Sequence, residues 1–396
     1  MSDQIYQRII NRIDELANEL IEISHAIHAH PELAFEEHFA CETLTRSLTQ
    51  HGLAPETDVF TLPTAFEAKL NAGRTGPTVA ILAEYDALPG IGHACGHNII
   101  ATTALGATLG LQAVAEQLPG KVRLIGTPAE ERGGGKELMA RAGAFDGVDA
   151  AMMIHPAGVN LASMPCICVA EVEVVYHGKS AHASAMPHKG INALDGLLLA
   201  YQAISNLRQH IRSSERIHGI ITQGGDAPNI VPDHCAGEFY VRAANEKDLA
   251  KLKPRVQACF EAGATGSGCD VEVKWANVDY LDLNTNWPLA DQFREHAQNL
   301  GREFIPFEQA QKFGAGSTDM GNVSYRVPSI HPMLAVAPPN VVIHNAEFEK
   351  WAGSDKGDLA CLDGAKALAL TAADFIVSPA LQEQTRKAYD VSQGLS

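Results

Sequence analysis

The chain has 396 residues, of which 46% are hydrophobic and 19% are charged, and this balance excludes disordered and low-complexity proteins. The length predicts two or three domains whose cores are large enough to need no disulfide or metal for stability. Because 30 Lys and Arg stand against 47 Asp and Glu, the net charge is −17, and neither nucleic acid nor an anionic membrane surface is expected as a partner.

The eight cysteines show no framework spacing and no paired Cys-x-x-Cys motifs, which predicts reduced thiols in a cytoplasmic protein. Residues 1–23 carry charges at helical spacing and lack the apolar core of a secretory signal. The longest uncharged stretch, residues 97–115, is interrupted by polar side chains, so it predicts a buried helix and no membrane span. The 17 histidines are a first indication of metal or acid–base chemistry.

In chain order, two amphipathic helices are predicted first, over residues 4–29 and 36–51. Four short apolar runs follow, and each leads into polar side chains that can bind a ligand. Such runs, alternating with helices, are typical of strands in a buried, largely parallel sheet. Since sites in open α/β sheets form beyond the carboxyl ends of the strands, we expect one convergent site there. The four runs are Thr78–Ala83, Lys121–Gly126, Ala150–Ile154 and Met333–Ala337.

The middle of the chain has a different pattern, in which apolar and polar residues alternate with a period of two, as in half-exposed strands. The order of predicted elements there is β-α-β-β-α-β, which is typical of a ferredoxin-like domain. We place this domain at residues 165–283, inserted into a first domain made of residues 1–164 and 284–396. The predicted strands are 169–176, 217–223, 236–243 and 271–278, and the predicted helices are 192–211 and 247–261.

The segment from His93 to Asn98, HACGHN, lies between a predicted strand and a predicted helix. Side chains two apart in an extended segment point to the same side, so Cys95 and His97 could reach one metal ion, and Gly96 lets the backbone bend between them. Thiolate and imidazole together suit zinc, with manganese, cobalt and nickel as alternatives. Taken alone, Cys-x-His also fits a buried cysteine beside a helix-capping histidine.

Glu130 and Glu131 follow the second apolar run directly, ahead of three consecutive glycines. Two adjacent carboxylates repel each other in a partly buried site unless a cation or a shared proton compensates. One glutamate could then hold a metal ion while the other accepts a proton from water. A solvated acidic loop is the alternative interpretation of the same pair.

Two further histidines stand at or beyond the ends of apolar runs, His155 in MMIHPAG and His344 in VVIHNAEF. Either one alone also fits a hydrogen-bonded structural histidine. Together with Cys95, His97 and Glu131 they supply five candidate ligands. That number fits two metal ions about 3.5–4 Å apart that share a bridging ligand and a water.

Four segments, in order, resemble the aminoacylase/carboxypeptidase-G superfamily of di-metal amidohydrolases. They are GHACGHN, GTPAEERGGGKELMARAGAFDGVDAAMMIHP, YHGKSAHASAMPHKGINALDG and GGDAPNIVPD. The chain is most similar to the branch that holds aminobenzoyl-glutamate hydrolases, auxin-conjugate hydrolases and β-alanyl dipeptidases. The resemblance covers nearly the whole chain. It implies a catalytic α/β domain with a mostly parallel sheet flanked by helices, and an inserted ferredoxin-like α+β lid that also forms a homodimer.

The resemblance also implies roles for single residues. Glu130 matches the general base, and Asp86 matches an aspartate that steadies a histidine ligand. His182 matches a lid histidine that reaches across the dimer to the scissile carbonyl, and Asn229 and Arg242 match lid residues that hold the carboxylate end of the substrate. By residue type alone these three lid residues also fit an exposed loop, a turn and a surface ion pair. The positions that match metal ligands are Cys95, as the bridge, His97, Glu131, His155 and His344.

Three positions depart from the pattern of the superfamily, and the last two of them lie near the expected substrate pocket. Asn98 stands where relatives often have aspartate, Ser317-Thr318-Asp319 replaces Ser-Glu-Asp, and the segment His344–Phe348 lacks the usual proline. None of them removes a ligand, so the reaction class is retained and the substrate is left open.

From residues and resemblance together we expect a metal-dependent amidohydrolase with two divalent metal ions per subunit, zinc first among them. Its substrate would be an N-acyl or N-aminoacyl amino acid, such as an aminobenzoyl-glutamate-like conjugate or a small dipeptide. Two alternatives come from other classes: a cysteine hydrolase that uses Cys95 with His97, and a metal-binding or sensing protein without catalysis.

Overall fold

A computed structural model describes residues 3–310 and 315–395 of the chain. The chain forms two compact units, of which the second is inserted into the first. Unit 1 consists of Met1–Pro165 and Leu283–Ser396, and unit 2 of Cys166–Asp282. The insertion predicted at 165–283 overlaps unit 2 almost completely.

Many of the helices begin at a polar side chain that accepts hydrogen bonds from the first free backbone N–H groups, as Asn192, Asn245 and Ser354 do. The single helix predicted over residues 4–29 is two helices, divided at Leu16. Within the described residues, none of the helices has the length and apolar character that a membrane span requires. The helices are α1 (Asp3–Glu15), α2 (Ala17–Ala29), α3 (His38–Gln50), α4 (His97–Gln112), α5 (Gly135–Arg141), α6 (Ala193–Leu207), α7 (Glu246–Ser267), α8 (Trp287–Asn299), α9 (Phe307–Ala310), α10 (Met320–Ser324), α11 (Ala346–Ala352), α12 (Asp355–Val377) and α13 (Pro379–Gln393).

The strands form one large sheet and one short pair in unit 1, and a separate sheet in unit 2. They are β1 (Glu56–Val59), β2 (Leu62–Leu70), β3 (Thr78–Ala83), β4 (Lys121–Gly126), β5 (Ala150–Met152), β6 (His155–Ala157), β7 (Cys168–His177), β8 (Arg216–Gln223), β9 (His234–Ala243), β10 (Asp270–Trp275), β11 (Ser329–Ile330) and β12 (Met333–Ala335).

The large sheet of unit 1 has the strand order β1-β2-β4-β3-β5-β11. Its β4, β3, β5 and β11 are parallel, whereas β2 runs antiparallel to β4 and β1 antiparallel to β2. All of β3 is buried, and its alternate residues enter two hydrophobic clusters, Val79 and Ile81 in one and Ala80 and Leu82 in the other. Both faces of the parallel part are therefore covered, and the predicted α/β fold class is confirmed.

The run predicted as a fourth strand of the large sheet, at 333–337, lies elsewhere. It forms β12, which pairs in parallel with β6, and these two strands make a sheet of their own. Pro156 lies in the middle of β6 and has no N–H group to donate to a second neighbour, so this strand cannot continue the large sheet. The pairing places His155 beside Met333 at the start of the short sheet.

Unit 2 has the predicted order of elements, β7-α6-β8-β9-α7-β10. Its sheet is antiparallel throughout, with the strand order β10-β7-β9-β8. Helices α6 and α7 pack on one face of this sheet around a core that includes Tyr176, Leu197, Phe239 and Phe260. The other expected feature, an inserted α+β domain of ferredoxin-like order, is thus confirmed.

Candidate metal centre and catalytic site

The candidate site lies where β3 and β4 end side by side. These strands are parallel neighbours whose carboxyl ends are in register. Glu84 and Asp86 follow β3, and Glu130 and Glu131 follow β4 after a short turn. Glu84, Asp86 and Glu130 are buried. The topology of the sheet therefore collects four carboxylates at one edge, as the positions of the strand ends predict.

The turn between Cys95 and His97 depends on Gly96. Its φ is +79°, in the left-handed region, and a Cβ atom there would lie 2.5 Å from Cγ of Pro156. The helix α4 begins at the next residue, His97. Any larger residue at this position would displace β6, which carries His155, so one glycine permits the approach of two segments that bear candidate ligands.

His97 is fixed by Asp86. Nδ1 of His97 and Oδ1 of Asp86 are 3.0 Å apart, and Oδ2 of Asp86 accepts a hydrogen bond from the backbone N–H of Glu131 at 2.9 Å. Both side chains are buried. The Nε2 atom of the ring consequently faces the carboxylates, 3.5 Å from Glu84 and 3.7 Å from Glu131. Asp86 is therefore placed to orient His97 and the glutamate loop together.

Cys95 is the meeting point of the remaining candidate ligands. Its Sγ atom lies 3.3 Å from Nε2 of His155 and 3.4 Å from Nε2 of His344. The same Nε2 of His344 lies 3.3 Å from a carboxylate oxygen of Glu131. His155 presents Nε2 because its Nδ1 is engaged by the carbonyl oxygen of Pro156 at 2.7 Å.

The candidate ligands form two groups of three that share one member. In each group the ligand atoms all lie within 4.8 Å of one another. The first group is Cys95, His97 and His155, and the second is Cys95, Glu131 and His344. Two neighbouring metal ions bridged by a thiolate need this arrangement.

The two adjacent glutamates have opposite electrostatic environments. Burial, reinforced by the charges of Glu84 and Glu131, raises the pKa of Glu130 well above its usual range. For Glu131 burial also acts to raise the pKa, but the hydrogen bond with His344 and the charge of His97 outweigh it and lower the pKa to about 2. A carboxylate that readily accepts a proton thus stands beside one that stays ionised.

Burial also shifts the pKa values of His155 and Cys95. Burial and the charge of His97 lower the pKa of His155 to about 4, so its imidazole is neutral, as a metal ligand must be. Burial and the charge of Glu131 raise the pKa of the Cys95 thiol well above its usual range. Without a cation, this thiol therefore carries its proton.

The polar atoms at the centre of the site fit divalent metal ions. Nε2 of His97 and Oε1 of Glu131 are buried, and within the described residues neither has a hydrogen-bond partner. Leaving such atoms unpaired costs about 1–3 kcal/mol each, which a bound cation would offset. Sulfur, imidazole and carboxylate donors together suit zinc and its transition-metal neighbours.

Three further buried residues belong to this region and were not predicted as site residues. Nζ of Lys136 lies 2.5 Å from Glu84 and 2.7 Å from Asp319, and all three side chains are inaccessible to solvent. Glu84 also forms a compact group of possible ligands with His97 and Glu130. The position of Glu84 at the end of β3 was a signal in the sequence, whereas no pattern linked Lys136 to Asp319.

In unit 2, the structure brings His182 and Asn229 together. The backbone N–H of Ala183 donates to the carbonyl oxygen of Asn229 at 3.0 Å, and His182 forms a bridge with Ile230. The two segments extend the β7–β9 ladder beyond its last pair, His177 with His234. Nδ1 of His182 lies 3.3 Å from the backbone nitrogen of Ala185, so the imidazole is held within its own loop.

Arg242 lies near the opposite end of the same ladder. It pairs with Val169 on β7, and its Nε atom donates to Nε2 of His218 at 3.1 Å. On the extended strand β9 it lies eight positions after His234, a span of about 26 Å. One copy of unit 2 therefore does not bring Arg242 to the same place as His182 and Asn229.

The sequence of unit 2 matches a known domain family. Residues 169–266 match the model of the M20 peptidase dimerisation domain. Over the whole chain, the Xaa-Arg dipeptidase of Mus musculus is 43% identical across 395 residues, covering 97% of this chain and 91% of the relative. The chain belongs to the M20 peptidase family. The family that the four motifs predicted is thereby confirmed, and with it the prediction that the protein is an enzyme that hydrolyses amide bonds.

Other proteins are similar to this chain over comparable lengths. A p-aminobenzoyl-glutamate hydrolase of Escherichia coli is 28% identical in one of its subunits, covering 96% of this chain and 94% of the relative. A dinuclear metal-binding M20 peptidase from Bacillus subtilis has the same fold, with a TM-score of 0.65 and 22% identity, covering 91% of this chain and 99% of that structure. An aminobenzoyl-glutamate utilization protein from Klebsiella pneumoniae superposes with a TM-score of 0.73 at 21% identity, covering 92% and 97%.

Proposed function

We propose that this M20 enzyme hydrolyses the amide bond of N-acyl or N-aminoacyl amino acids with two divalent metal ions per subunit. The observation that carries the proposal is the pair of ligand groups that share Cys95. In this proposal Cys95 is the bridge, His97 and His155 complete one site, and Glu131 and His344 complete the other. Zinc is the first expectation for a thiolate and imidazole set, with manganese, cobalt and nickel as competitors.

Glu130 is proposed as the general base. When bound, the metal ions supply Lewis-acid polarisation of the scissile carbonyl and lower the pKa of the attacking water. Glu130 accepts the proton of that water as its oxygen bonds to the carbonyl carbon, and then delivers the proton to the amine nitrogen as the C–N bond breaks. The raised pKa of Glu130 supports this role, because a stronger base takes the proton more readily.

A homodimer through unit 2 is proposed from exposed apolar side chains. Leu198 and Leu199 on α6 are about half exposed, and Ile220 on the edge strand β8 is 63% exposed. Unpaired strand edges and apolar patches of this kind are typical of interfaces. The dimer would also explain the separation of Arg242 from His182, since two copies could supply them to one substrate.

We propose distinct tasks for His182, Asn229 and Arg242 of unit 2 in binding the N-acyl or N-aminoacyl amino acid. His182 of a second copy of the chain stabilises the developing oxyanion, a contribution of about 3–4 kcal/mol for one well-aimed donor. Asn229 and Arg242 hold the carboxylate end, for which the planar guanidinium of Arg242 is suited.

The substrate is proposed to be a dipeptide or a conjugate of similar size. The relatives named Xaa-Arg dipeptidase are 43% and 41% identical, and the aminobenzoyl-glutamate hydrolase chain is 28% identical, so dipeptides that end in arginine come first. A pocket in unit 1 supports an uncharged group at the other end of the substrate, because the described residues that line it carry no charged side chain. Its lining includes Ala157, Leu161, Met164, Met333, Val341 and Ile343.

A hydrolysis panel on the reconstituted enzyme tests the proposal. The panel compares Xaa-Arg and β-alanyl dipeptides, aminobenzoyl-glutamate, and N-acetyl and N-aroyl amino acids, each with zinc, manganese, cobalt or nickel. We expect release of a free amino acid from at least one class, and none by the chelated enzyme. A folded, metal-loaded protein that cleaves none of these amides would contradict the proposed function, and would favour a binding or sensing role.

The cysteine-hydrolase alternative makes the opposite prediction. Its nucleophile would need a lowered thiol pKa, whereas burial raises that of Cys95. A cysteine hydrolase would keep its activity in a chelator and lose it to a thiol-alkylating reagent.

A cytoplasmic location is proposed from the spacing of the cysteines, which predicts reduced thiols.

A further inference from the structure

The segment from Glu32 to Glu37 contacts both loops of the candidate site without supplying a ligand. The backbone carbonyl of Glu32 accepts a hydrogen bond from the N–H of Ala87 at 2.7 Å, next to Asp86. The carboxylate of Glu37 accepts one from the N–H of Ala129 at 2.9 Å, next to Glu130. One short segment is thus bonded to the backbone beside the residue that orients His97 and beside the proposed base.

Ala129 has an unusual backbone conformation. Its φ is +61°, in the left-handed region that favours glycine over residues with a side chain. Its carbonyl oxygen accepts a hydrogen bond from the N–H of Gly135 at 3.0 Å. A Cβ atom on residue 135 would lie 1.8 Å from the carbonyl oxygen of Pro128, so the turn needs glycine there. The direction in which the chain leaves Ala129 sets where the side chain of Glu130 starts.

Glu37 is itself rigidly held. It is inaccessible to solvent, its Oε1 also accepts the N–H of Phe35 at 2.9 Å, and its Oε2 accepts the hydroxyl of Thr64 at 2.7 Å. The ring of Phe35 lies against Gly133, where a Cβ atom would come within 2.6 Å of it. A carboxylate with both oxygens engaged and a packed neighbour can therefore hold the strained turn in a single conformation.

We propose that Glu37 is a positioning residue for the hydrolytic reaction, and that it acts by holding the left-handed turn at Ala129 so that Glu130 meets the attacking water. This inference rests on the proposed role of Glu130 as general base. In this role Glu37 acts through its hydrogen bonds with Phe35, Thr64 and Ala129 and supplies no metal ligand. Its loss should lower kcat and leave the metal content and KM unchanged, because misplacing a catalytic group by about 1 Å is enough to cost about 100-fold in rate.

The test compares Glu37→Leu with Glu37→Gln in the full-length, metal-loaded enzyme. Leucine removes the acceptor for Ala129 and should lower kcat about 10- to 100-fold. Glutamine keeps an oxygen at the Oε1 position, so its kcat should stay within about threefold of the wild type. If Glu37→Leu does not fold, Glu37→Ala takes its place with the same expectation. Metal content, KM and thermal unfolding are measured for every variant.

Glu32→Leu is the matched control. The side chain of Glu32 accepts the N–H groups of Phe39 and Ala40 at the start of α3 and does not bond to the turn at Ala129. This variant should lose stability and keep its kcat. The inference is overturned if Glu32→Leu and Glu37→Leu have the same thermal stability and lose kcat to the same extent. The loss would then be a general structural effect.

Two other results would also overturn it: a folded Glu37→Leu with wild-type kcat, or a Glu37→Gln as impaired as Glu37→Leu. Glu130→Gln, assayed in parallel, separates this inference from the proposed function. If Glu130→Gln is active, the proposed base is wrong, whatever Glu37 does. If Glu130→Gln is inactive and Glu37→Leu is normal, only the positioning role of Glu37 fails.

Discussion

Replacing Asp86 by asparagine should weaken metal binding, because an amide cannot accept both hydrogen bonds that the carboxylate accepts. Asp86 contacts Nδ1 of His97 at 3.0 Å and accepts the backbone N–H of Glu131 at 2.9 Å. When Nε2 of His97 binds a metal ion, Nδ1 must carry the ring proton and needs an acceptor. If asparagine turns its oxygen toward His97, its NH₂ group then opposes the N–H of Glu131.

The expected magnitude follows from the one buried donor left without a partner. That costs about 1–3 kcal/mol, and each 1.4 kcal/mol is tenfold in affinity, so zinc binding should weaken by about 5- to 150-fold. Burial acts to lower the pKa of His97, but the charges of Asp86 and Glu84 outweigh it and hold the ring protonated; with asparagine at position 86 the metal-free ring can release that proton and accept from the NH₂ group. The loss should therefore be seen in metal affinity more than in the stability of the metal-free protein.

The assay is a zinc titration of the metal-free protein against a competing chelator, with circular dichroism to verify the fold. Asp149→Asn is the matched control, because Asp149 accepts the backbone N–H of Thr78 at 2.8 Å at the other end of β3. It makes the same chemical change away from the site and should leave zinc affinity unchanged. A folded Asp86→Asn that binds zinc as tightly as the wild type would refute the reasoning.

Four other predictions concern the same site. Chelation should abolish hydrolysis and added zinc or manganese should restore it, measured as amino acid release; undiminished activity without metal would exclude the proposed mechanism. Glu130→Gln should lower kcat by about 10²- to 10⁴-fold and keep its metal, whereas Glu131→Gln should contain less metal when measured by elemental analysis. If the two variants behave identically, their roles are wrongly assigned. Mixing His182→Ala subunits with Glu130→Gln subunits should restore about a quarter of wild-type activity, since about half the dimers are mixed and each mixed dimer has one intact site. If mixed dimers are verified and show no activity, His182 acts in the site of its own subunit or outside catalysis. Burial, aided by the charge of Asp86, raises the pKa of Glu37 to about 7. The stabilisation by protonated Glu37 is therefore complete below about pH 4.5 and should be lost as the pH rises through 7, which lowers the free energy of unfolding by about 3 kcal/mol. Urea unfolding should show this decline in the wild type and not in Glu37→Gln, and equal pH profiles of the two would contradict the prediction.

The parts of the fold that could be predicted are those where burial is uniform along the sequence. β3 is buried at every residue, so its apolar run marks it without ambiguity. β2 could not be found in the same way because it contains Pro63, Glu67 and Lys69. In the structure Glu67 is buried in an ion pair with Arg123 and lies 2.9 Å from Lys69. Charges that neutralise each other across strands remove the pattern on which a strand prediction depends.

The site shows the same division. Cys95 with His97, and Glu130 with Glu131, are near neighbours in sequence whose residue types already suggest shared chemistry. Lys136 and Asp319 are 183 residues apart, and each alone is typical of a solvated surface. Such pairs come together only through the path of the chain, and no local pattern records that path.

The sharing of Cys95 between two ligand groups has a consequence for when the candidate metal centre can form during synthesis of the chain. His155 leaves the ribosome 60 residues after Cys95, whereas His344 leaves 249 residues after it. At about 5–20 residues per second, roughly 12–50 s pass between Cys95 and His344. Because β6, which carries His155, pairs with β12 at Met333–Ala335, the group with His155 is also held in place only after residues beyond unit 2 have been made. Neither ion would then be held by its full set of ligands until both parts of unit 1 have been synthesised and joined.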